Sequence, residues 1–206
     1  EMLRSLVGSE MCIRDSIKNT DGDVLVKADT IMEQKATDKD GKIFFTADLP
    51  VGGSFYVKEV KAPAGFVTTE EVKEFTFEYA GADVPEVTFE HTFENEATIF
   101  EITKSDLTTG VELDGATLTV LDKDGNEIDK WTSVKGEPHI IKRLHVGETY
   151  ILREEFAPYG YLKAEEVEFT ITDTAEIQKV EMKDDVPIGR IIICLLYTSD
   201  AADEAR

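Results

Sequence analysis

Cysteine, histidine and long apolar stretches are scarce in this chain of 206 residues. The two cysteines, Cys12 and Cys194, lie outside the repeated segments described below, so no disulfide is expected to stabilise either repeat. The three histidines are isolated, with no spacing typical of a zinc site, and neither a metal nor another cofactor is expected. No apolar run approaches the roughly 20 residues that span a bilayer, which argues against membrane insertion.

Basic residues are also few relative to acidic ones. The sequence has 22 lysines and arginines against 43 acidic residues, a formal net charge of −21. Because the acids are spread along the chain, phosphate backbones and anionic lipid surfaces would be repelled, and no nucleic-acid partner is expected. We interpret the acidity as a solvated surface that keeps a secreted protein soluble and monomeric.

One motif is written twice, as Glu59-Val-Lys-Ala-Pro-Ala-Gly-Phe66 and as Glu154-Glu-Phe-Ala-Pro-Tyr-Gly-Tyr161. The two copies stand 154 − 59 = 95 residues apart, which is the size of a small domain. Each copy follows a run in which apolar side chains alternate, as in a half-buried β-strand. The sequence therefore predicts two tandem modules of about 90 residues each.

Strand and turn patterns fill the chain between its two ends. Short runs rich in Val, Ile, Phe, Tyr and Thr alternate with turn signals, and helical periodicity is nearly absent. This pattern predicts an all-β protein of two tandem β-sandwiches. One turn, Asp122-Lys-Asp-Gly-Asn126, superficially resembles a calcium loop. A calcium loop of the EF-hand type needs glycine at its sixth position and a bidentate acid at its twelfth, and this segment has neither at those positions. We therefore interpret it as a hairpin turn.

The two ends of the chain differ from the rest. Residues 1–16 and 194–206 lack the period and turn chemistry of the modules, and they resemble translated sequencing-adapter segments at the edges of assembled reads. We interpret them as non-native and expect them to take no part in the fold. The expected modules are residues 17–97, which are incomplete, and residues 98–187, which are complete. Residues 188–193 resemble the start of a truncated third module.

Three strands of the second module each place a charged side chain on their apolar face. By alternation, Lys104 of the first strand, Glu154 of a central strand and Asp184 of the last strand point into the core. The same alternation selects Asp184 over the adjacent Asp185. Isolated buried charges are costly, so the three groups must neutralise or pair with one another. They form one site if the first and last strands are neighbours.

Two kinds of site fit this triad. One is a buried set of ion pairs with no covalent bond. In the other, burial favours the neutral amine of Lys104, which attacks the Asp184 carboxyl carbon while Glu154 hydrogen-bonds the carboxyl oxygen and transfers protons. The products are an isopeptide bond and one water. The residues alone leave both interpretations open.

Over about residues 17–187 the chain resembles the B-type repeats of the collagen adhesin and the pilin domains of Gram-positive bacteria, called CnaB or SpaA-like prealbumin-fold domains. The resemblance rests on the strand-ending glutamate followed by Ala-Pro-x-Gly-aromatic, and on the opening Lys104-Ser-Asp-Leu-Thr-Thr-Gly110. It implies prealbumin-like, immunoglobulin-like Greek-key sandwiches. It also implies an isopeptide bond between a first-strand lysine and a last-strand Asp or Asn, with a catalytic glutamate. By position these are Lys104, Asp184 and Glu154.

The first module departs from this pattern. Glu59 matches the catalytic glutamate, and Asn95 occupies the acceptor position, so that its bond would release ammonia instead of water. No lysine-bearing first strand precedes it, and Lys18 lies too close to the expected second strand to be the nucleophile. The resemblance therefore implies a first sandwich that lacks its N-terminal strand and the partner lysine, and that is open at one edge.

The function expected from the resemblance is structural. Such a chain would form the stalk or repeat region of a Gram-positive cell-surface adhesin or pilus-like protein, extracellular and anchored to the cell wall in the parent protein. Its partners would be neighbouring modules of that protein. A second hypothesis is a binding module whose sandwich loops recognise a host matrix protein or a glycan.

Catalysis on an external substrate is disfavoured. No histidine is placed to assist a nucleophile, and the reactive groups are expected to be buried. We therefore expect no enzyme beyond a single self-crosslinking event.

Overall fold

A computed structural model describes residues 8–84 and 86–194 of the chain. All regular secondary structure within these ranges is β-strand, so the all-β class predicted from the sequence is confirmed. The same ranges contain no helix with the length and apolar character needed to cross a membrane. The strands are β1 (Gly8–Ile13), β2 (Ile17–Lys18), β3 (Val24–Val26), β4 (Ile31–Ala36), β5 (Ser54–Lys61), β6 (Val72–Thr76), β7 (Ile99–Asp106), β8 (Thr117–Leu121), β9 (Glu127–Thr132), β10 (His139–Lys142), β11 (Thr149–Phe156), β12 (Val167–Thr170) and β13 (Gln178–Asp184).

The second module is a sandwich of two complete sheets. One sheet has the strand order β10-β7-β13, and its strands β7 and β13 run parallel. The other has the order β12-β11-β8-β9 and is antiparallel throughout. Alternate apolar side chains of both sheets meet in one core, in which Ile102 and Met182 of the first sheet pack with Leu118 and Leu152 of the second.

The hairpin between β8 and β9 shows the local chemistry that sets the strand ends. The Asp122 carboxylate accepts hydrogen bonds from the backbone N–H groups of Asp124 and Asn126, both at 2.9 Å. Gly125 supplies the positive φ, 82°, that the turn needs. The segment is therefore the hairpin turn that the sequence indicates.

The first module contains one four-stranded antiparallel sheet of order β4-β1-β5-β6. Its strand β1 lies inside this sheet, paired with β4 and β5, and its residues Met11, Cys12 and Ile13 are buried. The expectation that residues 1–16 take no part in the fold is therefore wrong for β1. The last three residues of β1 are all buried, so this strand lacks the regular alternation of buried and exposed residues by which a half-buried strand is recognised in a sequence.

Strand β1 takes the place that β8 takes in the second module. Met11 pairs with Val57 of β5, just as Val120 pairs with Leu152 of β11. The sequence instead indicated a second strand that begins near Lys18. The structure places Lys18 in β2, which pairs only with β3 in a two-stranded ribbon.

Among the described residues, the first module has no counterpart of the β10-β7-β13 sheet of the second. A shift of 95 residues maps β10 onto residues 44–47, and matching Asn95 to Asp184 maps β13 onto residues 89–95. Neither segment forms a strand. In the second module β10 and β13 both pair with β7, which lies between them. The described part of the first module has no strand at the position of β7. The lack of an N-terminal strand in the first module stays a prediction, because residues 1–7 lie outside the described ranges.

A close joint connects the two modules. The oxygen of Gly65, in the first copy of the repeated motif, accepts a hydrogen bond from the Thr98 N–H at 3.1 Å. The Thr98 oxygen accepts one from the Arg143 N–H at 3.0 Å, and the Thr98 hydroxyl donates to the Leu144 oxygen at 2.7 Å. Thr98 is 2% exposed, so these bonds form within a packed interface.

Side chains reinforce the joint. The Arg143 guanidinium lies 5.3 Å from the Phe66 ring centroid, within cation–π range. A Cβ on Gly65 would lie 2.6 Å from the Arg143 oxygen, so only glycine fits this approach. On a second contact, the Thr68 N–H donates to the Asp173 carboxylate at 2.9 Å.

Candidate cross-linking site

The structure brings Lys104, Glu154 and Asp184 together between the two sheets of the second module. Lys104 Nζ donates a hydrogen bond to Asp184 Oδ1 and lies 3.0 Å from Glu154 Oε1. Lysine and aspartate stand on the adjacent parallel strands β7 and β13, and glutamate stands on β11 of the facing sheet. The first and last strands are therefore neighbours, as a shared site requires.

The three side chains are removed from water. Their exposed fractions are 1% for Lys104 and 0% for both carboxylic acids. One amine faces two acids, so full ionisation would leave an unbalanced negative charge in a low-dielectric core. Protonation of Asp184 would remove this imbalance.

Hydrogen bonding at the site is incomplete. Glu154 Oε2 accepts the Ala164 N–H at 2.7 Å, which fixes the orientation of that carboxyl group. Glu154 Oε1 and Asp184 Oδ2 are buried and have no hydrogen-bond partner within the described ranges. The 3.0 Å contact of Glu154 with the amine is thus an ion pair without hydrogen-bond geometry. Buried oxygens without a partner carry an uncompensated desolvation cost, so they destabilise the triad in the arrangement that the structure shows.

Burial raises the pKa of Asp184 above its ordinary value of 3.8. The hydrogen bond and positive charge of Lys104 act in the opposite direction, whereas the negative charge of Glu154 adds to the rise. The raised pKa keeps the acid protonated at higher pH than usual. A protonated carboxyl group is the form that can lose its hydroxyl as water.

A supporting contact lies just beyond the triad. Asp106, at the end of β7, accepts the backbone N–H groups of Thr108 and Thr109 at 2.9 and 2.6 Å and also accepts the Thr109 hydroxyl. These hydrogen bonds, led by those of Thr109, lower the pKa of Asp106 below 3.8, and the Tyr161 hydroxyl is a further partner. The contact joins the Lys-Ser-Asp opening to the aromatic residue of the repeated motif.

Sequence reasoning missed this role of Asp106. The available signal was the Thr-Thr-Gly that follows it, which is typical of a turn built on an aspartate side chain. The Tyr161 contact has no local signal, because the two residues are far apart in the sequence. Phe66, the equivalent of Tyr161, lacks the hydroxyl.

The first module contains two members of an equivalent triad. Asn95 donates through Nδ2 to Glu59 Oε2 at 2.6 Å and to the Val67 oxygen at 3.0 Å. Glu59 Oε2 also accepts the Thr69 N–H at 2.8 Å, which repeats the Ala164 contact of the second module. No ion pair joins Glu59 to a lysine in the part of the chain that the structure describes, and Glu59 Oε1 is buried without a hydrogen-bond partner there.

No metal centre emerges elsewhere in the described ranges, since they contain no group of three or more potential ligands among His, Cys, Asp and Glu. His139 stacks on Trp131 with ring centroids 3.9 Å apart and contacts the Asp129 carboxylate at 2.8 Å. These contacts tie β9 of one sheet to β10 of the other. They assign His139 and Trp131 a structural role.

Comparisons with known proteins agree with this architecture. A family model for the SpaA prealbumin-like fold domain matches the chain twice, over residues 4–92 and 98–186. The first match includes β1. A search of curated proteins gave no match.

Among solved structures, the chain is similar to the Bacillus anthracis TIE protein, with 26% identity and a TM-score of 0.53, over 90% of this chain and 32% of that one. It is also similar to the shaft pilin SpaA of Lactobacillus rhamnosus GG, with 16% identity and a TM-score of 0.39, over 92% and 90% of the two chains. A C-terminal fragment of the pilus adhesin SpaC of the same organism shows 13% identity and a TM-score of 0.48, with 91% of each chain covered. The chain thus spans about a third of the length of the TIE protein.

Proposed function

Because this chain belongs to the family of SpaA prealbumin-like fold domains, we propose that it is a structural segment of an adhesin or pilus-like surface protein, cross-linked internally between Lys104 and Asp184. The observation that carries the proposal is the buried contact of the Lys104 amine with the Asp184 carboxyl group, with Glu154 beside both. The family is one of structural domains, and the proposed bond is a single self-crosslinking event without external substrate.

The proposed reaction is a condensation. The neutral amine attacks the Asp184 carboxyl carbon, and Glu154 accepts a proton from the amine. Glu154 then returns a proton to the leaving hydroxyl group. One C–N bond forms, one C–O bond breaks, and water leaves. Glu154 ends in its starting state, and no oxidant, metal or cofactor enters the balance.

The bond suits a load-bearing role because of where it lies. Strand β7 opens the module and β13 closes it, and the two run parallel. Tension applied to the chain ends therefore shears this strand pair. A covalent link between Lys104 and Asp184, which are 80 positions apart, would carry the load before the core residues between them are stretched.

The setting proposed for the parent protein follows from this role. We place it outside the cell and anchored to the cell wall, where force and proteases act on a stalk. Its proposed partners are the neighbouring modules of the same protein. The hydrogen-bonded joint between the two modules supports this, because it orients one module on the next.

An intact-mass spectrum tests the proposed function. The wild-type chain is expected to be lighter than its sequence by one water, and Lys104→Ala and Glu154→Ala are expected to have their full masses. Asp184→Asn is the matched control. It retains an acceptor and should lose ammonia instead. A wild-type chain at full mass would overturn the proposed bond and leave a buried ionic triad.

A further inference from the structure

One loop of the second module contacts the ends of all three strands that carry the triad. This clasp loop comprises residues 157–166, between β11 and β12. Its Ala164 N–H donates to Glu154 Oε2 of β11 at 2.7 Å. Its Leu162 N–H donates at 2.8 Å to the oxygen of Asp185, the residue directly after β13. Two of the three strands are thus bound through the backbone of the loop.

The third strand is bound through a side chain of the same loop. The Tyr161 hydroxyl donates to the carboxylate of Asp106, which is the last residue of β7 and is 7% exposed. Asp106 is the register partner of Asp184 across the β7–β13 ladder, and the Leu107 N–H donates to the Asp184 oxygen at 2.8 Å. The hydroxyl of Tyr161 therefore holds β7 at the point where it meets the acceptor strand.

Asp106 is a second carboxylate on the strand that carries the nucleophile. It shares the inward face of β7 with Lys104. Its Oδ1 accepts the N–H groups of Thr108 and Thr109 and the Thr109 hydroxyl, in addition to the bond from Tyr161. These hydrogen bonds, led by that of the Thr109 N–H, keep the pKa of Asp106 below 3.8, so the group stays ionised. The amine of Lys104 is therefore left to the acid on β13.

We propose that Tyr161 and Asp106 are a pair of positioning residues whose contact sets the geometry in which Lys104 attacks. The inference rests on the proposed function, because it concerns the rate at which that bond forms. Neither residue takes part in proton transfer. They act through the clasp loop, whose Ala164 orients the carboxyl group of Glu154. A misplacement of about 1 Å can slow a reaction roughly 100-fold, so loss of the contact should slow the condensation without stopping it.

The first module shows that the loop can form without the hydroxyl. It has Phe66 at the position of Tyr161. The backbone contact to its glutamate is nevertheless present, since the Thr69 N–H donates to Glu59 Oε2 at 2.8 Å. A Tyr161→Phe chain is therefore expected to fold, and its defect should lie in the reaction.

The test follows water loss while the full chain folds. Chains recovered from inclusion bodies in guanidinium, with a full mass that shows them to be unreacted, are diluted into buffer, and acid-quenched samples are analysed by intact mass. Fluorescence of Trp131, the one tryptophan, reports folding of the second module separately. Tyr161→Phe should fold at the wild-type rate and lose water roughly 10- to 100-fold more slowly. Tyr159→Phe is the matched control, because it removes a hydroxyl at a fully exposed position of the same loop, and it should match the wild type.

Two further measurements distinguish positioning from a general loss of structure. Asp106→Asn keeps the Oδ1 that accepts the bonds of the following turn and removes the charge, so it should also slow water loss. The Tyr161→Phe, Asp106→Asn double variant should be no slower than the slower single variant, because both changes break one contact. Hydrogen exchange of the Ala164 amide should be faster in Tyr161→Phe and unchanged in Tyr159→Phe.

The outcomes separate this inference from the proposed function. A wild-type chain that keeps its full mass overturns both. If the wild type loses water and Tyr161→Phe loses it equally fast, only the positioning role is overturned. The same conclusion follows if the slower reaction is matched by equally slow folding at Trp131, if Tyr159→Phe is slowed as much, or if the Ala164 amide exchanges as in the wild type. A double variant slowed by the product of the two single effects would show that the residues act independently and would overturn the pair.

Discussion

Glu154→Gln is expected to lower the stability of the second module without removing its hydrogen bond to the backbone. The glutamine carbonyl can still accept the Ala164 N–H that Glu154 Oε2 accepts at 2.7 Å. The amide cannot transfer the protons that the condensation requires. The variant therefore retains the packing of the site and loses the covalent link between Lys104 and Asp184.

The size of the effect follows from the length of chain that the link closes. Lys104 and Asp184 are 80 positions apart. The entropy of closing a loop of this length, taken from the relation used for disulfides, corresponds to about 4.5 kcal/mol of stability. For a module of this size, such a loss lowers the midpoint of thermal unfolding by roughly 20 to 35 °C.

Scanning calorimetry of the full chain measures this shift, with intact mass confirming which molecules are cross-linked. Glu165→Gln is the matched control, because it makes the same change at an exposed position in the loop that follows β11. It should melt with the wild type. A Glu154→Gln chain at full mass whose second module melts within a few degrees of wild type would refute the reasoning that the link constrains the unfolded chain.

Three further predictions concern the joint, the pH dependence and β1. Gly65→Ala should cost about 1 to 3 kcal/mol in denaturant unfolding, because its Cβ would lie 2.6 Å from the Arg143 oxygen at a φ of 81°. Gly160→Ala has a φ of 90° and nothing within 4 Å, so equal losses in both variants would exclude the contact as the cause. Hydrogen bonds hold the Asp106 pKa below 3.8, so its contribution to stability is present above that value and is lost as pH falls through the lowered pKa. In an uncrosslinked background, the stability difference between Asp106 and Asp106→Asn chains should therefore shrink in acid, and a constant difference in urea titrations would contradict this. Ile13→Ala removes a fully buried side chain and should destabilise the first module by about 2 to 5 kcal/mol, whereas an unchanged first transition would show that β1 adds nothing to that core.

The proximity of the triad was predictable because strands have a period of two. Each of Lys104, Glu154 and Asp184 follows inward-facing apolar residues at even spacing, so alternation alone places them on the core side. The repeat then places Glu59 and Asn95 at equivalent positions. The pairing of β7 with β13, which brings Lys104 next to Asp184, could not be predicted from alternation and is seen only in the structure.

Strand β1 was not predictable by the same means. Its last three residues are all buried, so it does not alternate, and the repeat period points to a different segment for the second strand. Its pairing with both β4 and β5 is a long-range contact that no local pattern records. The same holds for the joint, where Gly65 and Arg143 meet only through tertiary packing.

The joint also bears on how such a chain can lengthen by duplication of its coding sequence. The earlier module contributes a glycine and an aromatic residue to the joint. The later module contributes a residue at positive φ, which here is Arg143 at 66°. The second module carries both halves, with Gly160 and Tyr161 for a successor and Arg143 for a predecessor. The first has Asp48 where the second has Arg143. Copies of the second unit therefore carry every residue of this joint, whereas a copy of the first, although aspartate also tolerates positive φ, would lack the cation that contacts the aromatic ring.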